Sequence, residues 1–411
     1  MPAFTADSAY ATSEAQFQLS ELFYSRTDTR GVIKAANSVF QRVADYGWDE
    51  LIGAPHKVVR HPDMPRGLFE LLWDRIKVGK PTGAYVKNRC KSGRYYWVFA
   101  LVSPADGGYI STRLKPTSSV FDQMTRVYAD VLGREKKDGL SPIASARLIE
   151  EAVQALGYAS YDAFQSHALA TEFEARAQGI GHVIDPLQRR FLDMSRAITQ
   201  VAVETAEMTE SFTAIRTVPM NMRIIASRLE NAGGPISAIS VNYSQMLEDM
   251  SSWVRTFADG DTCVLARIRD AILRGQFLSF ATVVEKEMIE GFGRNSADYL
   301  DQIDVAAEIA EVERHRKKFL NETTTALEKV EAEAKRFARS VLDMKRYVTG
   351  LSSTRMMCKI ENASLSRSGT ALTGIVEHLD ECQKEIEQRL ARMIDLNSVI
   401  QTNTAMLRSM L

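Results

Sequence analysis

The alternation of hydrophobic and polar positions changes character near residue 117. Before it, apolar residues come in short runs rich in β-branched and aromatic side chains, broken by turn residues. Leu22-Phe23-Tyr24-Ser25-Arg26-Thr27 reads as a strand, closed by the turn Asp28-Thr29-Arg30-Gly31 and followed by Val32-Ile33-Lys34. Asn37 is placed to cap a helix over 38–45, because its side-chain oxygen can accept from orphan backbone N–H groups. Residues 84–91 and 95–102 form a strand pair around the hairpin turn Ser92-Gly93, and 109–114 offers a last strand after Asp106-Gly107-Gly108. Two strands, short helices and three antiparallel strands predict one compact α+β domain: a five-stranded antiparallel sheet with its helices on one face.

From 118 onward the period is helical. The clearest stretch is apolar at Leu320, Leu327, Val330, Ala334, Phe337, Val341, Met344, Val348 and Leu351. Such a heptad seam favours helix pairing in an all-α helical bundle or coiled coil, within one chain or between two. Gly350 and Ser352-Ser353-Thr354 offer a break, after which a second seam runs through Ile375, Leu379, Cys382, Ile386, Met393, Leu396 and Ile400. Asn231-Ala232-Gly233-Gly234-Pro235 and Asp259-Gly260-Asp261 are further helix stops. Six of the 11 prolines lie between Pro55 and Pro116, and none follows Pro235, which agrees with a largely helical second part.

At 411 residues the chain is long enough for two or more domains. With 45% hydrophobic and 25% charged residues it is neither disordered nor collagenous. The longest apolar runs fall far short of the ~20 residues of a membrane span, and Met-Pro-Ala-Phe-Thr-Ala-Asp does not resemble a secretory signal. Cysteines at 90, 263, 358 and 382 make neither a disulfide framework nor a metal pattern. The expectation is a soluble cytoplasmic protein. Its net charge of −1 conceals an asymmetry, since 21–116 holds 16 Lys+Arg against 9 Asp+Glu. A basic part and an acidic remainder suit docking of the two or an anionic ligand in the first. The run of clustered charge expected of a nucleic-acid binder is missing.

Catalytic motifs are lacking: there is no phosphate-binding G-x-x-x-x-G-K-[ST], no H-E-x-x-H, no C-x-x-C and no G-x-S-x-G. Gly291-Phe292-Gly293 is half a dinucleotide fingerprint without a preceding strand. His167, His182, His315 and His378 read as surface or bundle residues, and the 16 methionines as flexible core filling. One stretch stands out: Val59-Arg60-His61-Pro62-Asp63-Met64-Pro65, then Phe69, Trp73, Lys87-Asn88-Arg89 and Tyr96-Trp97. It could supply a flat apolar slot, amide and guanidinium donors for a heteroaromatic ring, and positive charge for a phosphate. Equally, the loop could turn the chain and cap the next helix, with Trp73 and Trp97 as core.

Residues 21–116 resemble the PAS domain of aerotaxis receptors. The resemblance runs through Thr27-Asp28, Gly31, Ala36-Asn37, Gly47, Glu50-Leu51-Ile52-Gly53, Pro55-His56, Val59 to Pro65, Phe69, Trp73, Gly79, Val86 to Arg89, Lys91, Gly93 and Tyr96-Trp97. That family's PAS domain carries FAD and senses redox state. The resemblance implies that Asn37, Arg60, His61, Asp63, Phe69 and Asn88 bind the flavin or signal from it. One position departs: Pro81 is followed by Thr82, where the family often has a tryptophan beside the isoalloxazine. The lost stacking is worth on the order of a kcal/mol. More faintly, 221–241 resembles an eroded tip of the helical hairpin of methyl-accepting chemotaxis proteins; it is shorter, and Pro219 interrupts the descending arm.

The resulting expectation is a flexible N-terminus at 1–20, a PAS sensor domain at 21–117, a helical linker region at 118–185, a chemoreceptor-like hairpin at 186–258 and a helical bundle at 259–411. The resemblance implies a non-enzymatic redox, oxygen or energy sensor with bound FAD. A homodimer and a chemotaxis kinase or coupling protein are the implied partners. The alternatives are a cofactor-free PAS scaffold with a dimerising bundle, and a haem site drawing on His56 or His61.

Overall fold

The computed structural model describes residues 13–228, 233–260, 262–294, 303–364 and 370–411; most of the expected flexible N-terminus, and 229–232 at the centre of the chemoreceptor-like tip, lie outside them. The α+β domain has strands β1 (Phe23–Asp28), β2 (Ile33–Ala36), β3 (Thr82–Arg89), β4 (Tyr95–Ala105) and β5 (Gly108–Leu114). They form one antiparallel sheet in the order β2-β1-β5-β4-β3. Between β2 and β3 lie α1 (Ser38–Ala44), α2 (Trp48–Leu51), a 3₁₀ turn (His56–Val59) and α3 (Arg66–Lys77).

Local chemistry sets these elements. Asn37 caps α1, its Oδ1 accepting from Phe40 N at 3.1 Å and also from Tyr24 N at 2.9 Å, so one amide ties the helix start to β1. The β3–β4 turn closes with Cys90 N donating to Arg94 O at 2.7 Å, and Gly93 takes a φ of +91° that a side chain would resist.

The helical part runs through α4 (Ser119–Asp138), α5 (Pro142–Ala155), α6 (Tyr161–Ile180), α7 (Pro186–Ile215), α8 (Val218–Ser227), α9 (Gly233–Ala258), α10 (Val264–Arg294), α11 (Val305–Ser364) and α12 (Thr370–Met410). The chain divides into two compact units, each discontinuous in sequence: Met1–Arg189 with Leu273–Thr324, and Arg190–Ile272 with Thr325–Leu411.

In the first unit, 118–185 does not act as a linker, because its helices cover the sheet's outer face. Phe121 of α4 packs on Tyr85 and Trp97, with ring centroids 5.6 and 5.3 Å away. The buried Glu172 of α6 accepts from Tyr85 OH at 2.8 Å, Ser118 Oγ at 2.6 Å and the backbone of Thr117 at 2.7 Å. Burial pushes its carboxyl up from the ordinary glutamate range despite those donors. Against α3, the helix α5 comes so close that a Cβ on Gly67 would lie 2.3 Å from Ala146 N.

In the second unit the seams pair within one chain. Leu327, Val330, Ala334, Phe337, Val341, Met344, Val348 and Leu351 of α11 are all buried. Phe337 stacks on Phe257 of α9 at 5.1 Å, Trp253 Nε1 donates to Ser340 O at 2.7 Å, and Asn397 Nδ2 of α12 donates to Ala334 O at 3.2 Å. The break expected at 350–354 does not occur, because α11 continues to Ser364. Gly350 instead allows close approach, since an added Cβ would lie 2.2 Å from Met246 Cε of α9. In the second seam Val376 rather than Ile375 is buried, while Leu379, Cys382, Ile386, Met393 and Ile400 are buried as expected. Pro219 sits in the first turn of α8, where its missing N–H costs nothing. Among the described residues no helix is long and apolar enough to cross a membrane.

Candidate functional site

Strand alternation sends every second side chain of the sheet inward. Ser25 and Thr27 of β1, Tyr109, Ser111 and Arg113 of β5, Ala100 and Val102 of β4, and Val86 and Asn88 of β3 make the floor of a cavity of about 350 Å³. Phe69, Leu72, Trp73 and Ile76 of α3 form its roof, and Arg30, His56, Lys57 and Arg60 its rim. Trp73 meets Tyr109 edge-on at 5.3 Å. Its ring also fills the space beside Gly31, where φ is +78° and a Cβ would lie 3.3 Å away. The Arg60 guanidinium lies 3.6 Å from the centroid of Phe69, and the backbones of Arg60 and Asn88 form an antiparallel bridge.

The electrostatics centre on Arg113, which is only 3% exposed. Its Nη2 donates to Ser25 Oγ at 2.7 Å and lies 2.6 Å from His56 Nε2. A guanidinium has no acceptor, so His56 Nε2 must be unprotonated and its proton must sit on Nδ1. Burial, reinforced by the Arg113 charge, lowers His56 to about 3, so the ring is neutral. Burial also lowers Arg113 to about 10, which leaves it charged at neutral pH. Arg113 Nη1 and Ser111 Oγ are buried with no hydrogen-bond partner among the described residues.

Three of the six expected residues converge on the cavity: Arg60, Phe69 and Asn88. Asn37 lies elsewhere, on a second cavity of about 660 Å³ beside α6 and α10. There its Nδ2 donates to Leu22 O at 2.8 Å and sits 3.8 Å from Met288 Sδ. His61 is buried outside the main cavity, and its Nδ1 accepts from Asp63 N at 3.1 Å. Asp63 faces solvent, 3.2 Å from Lys87 Nζ. Thr82 is buried; its Oγ1 accepts from Arg75 Nε at 3.2 Å and donates to Lys80 O at 3.2 Å. Sequence reasoning did not single out Arg113 or Ser111. The alternation Tyr109, Ser111, Arg113 held the clue, for it aims an arginine inward.

Residues 33–110 match the family described as PAS fold. Over 109 residues the chain is 40% identical to the aerotaxis receptor of Escherichia coli (strain K12). The sheet domain has the PAS fold. That match covers 25% of this chain and 22% of the receptor, so the chain spans about a fifth of its relative's length. Among solved structures, a blue-light activated histidine kinase of Erythrobacter litoralis EL346 is 14% identical, with 44% of this chain and 58% of that one covered and a TM-score of 0.24. This PAS domain differs from a free-standing sheet in that α4, α6, α10 and α11 pack on its outer face.

Proposed function

We propose that this PAS-domain chain senses redox state through the ring of an FAD held in the 350 Å³ cavity, and relays that state through helix α11. The observation that carries the reading is the cavity's construction: an aromatic and aliphatic roof over a floor with unpartnered polar groups. Its volume is at the lower end of the roughly 300–1,000 Å³ of ligand pockets, which suits one fused ring with the rest of the dinucleotide outside. Exposed Arg30 and Lys57 at the rim supply positive charge where phosphates would emerge. When bound, the flavin supplies a ring that gains and loses electrons.

The chain's own residues would do the rest. Phe69, Leu72, Trp73 and Ile76 would exclude water, and Asn88 and Arg113 would hold the polar edge of a bound ring. Strand β1 links the cavity to the helices because its two faces differ. Ser25 and Thr27 line the cavity, whereas Tyr24 and Arg26 point outward to Glu308 in the first turn of α11. Tyr24 OH donates to Glu308 Oε2 at 2.7 Å, and Arg26 donates from Nε at 2.9 Å and from Nη2 at 2.5 Å. A change at Ser25 thus reaches a charge-assisted clamp one residue away. A difference of ~1–3 kcal/mol between the ring's two states would shift a docking equilibrium ~5–150-fold.

The activity is binding and relay rather than turnover of a substrate. A second copy and a chemotaxis kinase or coupling protein are the partners that the family resemblance suggests. The cofactor-free scaffold is favoured by one observation, the Thr82 hydroxyl tied to Arg75 and Lys80 where an aromatic would stack. Hydrogen exchange on the flavin-loaded chain, oxidised and then reduced, tests the relay: protection in 23–28 and 305–312 should change with oxidation state. Identical protection in the two states would refute it.

A further inference from the structure

A buried cation that no carboxylate answers needs an explanation, because burial of unpaired charge strongly opposes folding. Among the described residues Arg113 has no carboxylate partner; its contacts are Ser25, the neutral ring of His56, and the face of Phe40 at 4.9 Å. Nη1 donates to none of the described residues. Two residues earlier on β5, Ser111 Oγ is equally orphaned, and both residues line the cavity floor. Ser111 pairs with Ser25 in the β1–β5 register, so the orphaned groups and the Arg113 anchor form one cluster. Nearly every buried donor finds an acceptor, which implies that the missing one comes from the ligand.

We infer that Arg113 and Ser111 form the recognition point for an acceptor-rich ligand edge, one bearing a carbonyl oxygen or negative charge. The inference rests on the flavin reading, since the pyrimidine edge of that ring has this chemistry and gains negative charge on reduction. Arg113 is then a positioning residue that orients the ring and favours its reduced form. Charge-assisted hydrogen bonds carry that preference, and removing the guanidinium should move the reduced-to-oxidised ratio by about tenfold or more.

The test uses the full chain with FAD as probe, in wild type, Arg113→Gln, Arg113→Lys and Ser111→Ala. Flavin retention is read by absorbance, and the reduction equilibrium against a reference dye. Arg113→Gln should retain flavin about tenfold more weakly and shift the equilibrium toward the oxidised ring, Arg113→Lys should recover part of both, and Ser111→Ala should weaken retention by a few-fold. Should Arg113→Gln fail to fold, Arg113→Lys and Ser111→Ala decide. If wild type holds flavin and the folded variants match it in retention and equilibrium, the recognition point is overturned while the sensor reading stands. If wild type holds no flavin after reconstitution, both are overturned.

Discussion

Replacing Glu308 with alanine removes the acceptor that joins the PAS sheet to the start of α11. The carboxylate is 6% exposed and the Arg26 side chain 32%, while Tyr24 is fully buried. Left without Glu308, Arg26 can turn toward water, so its charge costs little. The Tyr24 hydroxyl cannot, and an unsatisfied buried donor costs about 1–3 kcal/mol. Loss of the charge-assisted bonds to Arg26 adds about 1 kcal/mol once its exposure is allowed for, giving about 2–4 kcal/mol in all. At 1.4 kcal/mol per factor of ten, that is about a 30- to 700-fold rise in local opening. Native-state hydrogen exchange reads this directly: amides of 23–28 and 305–312 should exchange faster by that factor, while those of α12 stay as they were. Glu308→Gln keeps an acceptor for Tyr24 and should show the smaller part of the effect. Unchanged exchange at 305–312 in both variants would refute the clamp.

Other consequences follow from the same geometry. Asn37→Ala removes the α1 cap and strands the buried Tyr24 N–H, so the PAS domain should lose about 2–3 kcal/mol in thermal melts; any bound colour should track the folded fraction, and colour lost from fully folded protein would instead place Asn37 on the ligand. His56 sets a pH dependence. Because burial holds it near 3 in the fold, the unfolded chain takes up the extra proton below the ordinary histidine value. Stability is therefore present above pH ~6.5 and lost as pH falls toward 3, by about 1–2 kcal/mol between pH 7 and 5, the ring being only partly screened from water. Denaturant melts of wild type and His56→Asn should differ in this slope, and equal slopes would contradict the assignment.

What could be read from the sequence depended on how local its cause was. The β3–β4 hairpin, the Asn37 cap and the α11 seam follow from neighbours in the chain, and the structure places the hairpin strands within three residues of expectation. The loop 59–65 marked the side of the sheet that carries the cavity, and Arg60, Phe69 and Asn88 line it. Residues whose causes lie far along the chain were harder. Nothing near Arg26 in the chain points to Glu308, which α11 brings to it from 282 positions later. Gly350 resembled a helix break because nothing nearby reveals Met246. The cover over the sheet's outer face did leave a trace, since Tyr85, Trp97 and Phe99 would make both faces of the sheet hydrophobic.

The claim on which the account most depends is that the PAS cavity holds a flavin ring, and the absorption spectrum of the purified full chain, before and after incubation with FAD and removal of excess, tests it most directly. The account predicts the two-banded near-ultraviolet and blue absorption of a protein-bound oxidised flavin, bleached by a chemical reductant and restored by air. A bare protein spectrum after reconstitution, or a Soret band in its place, would contradict it.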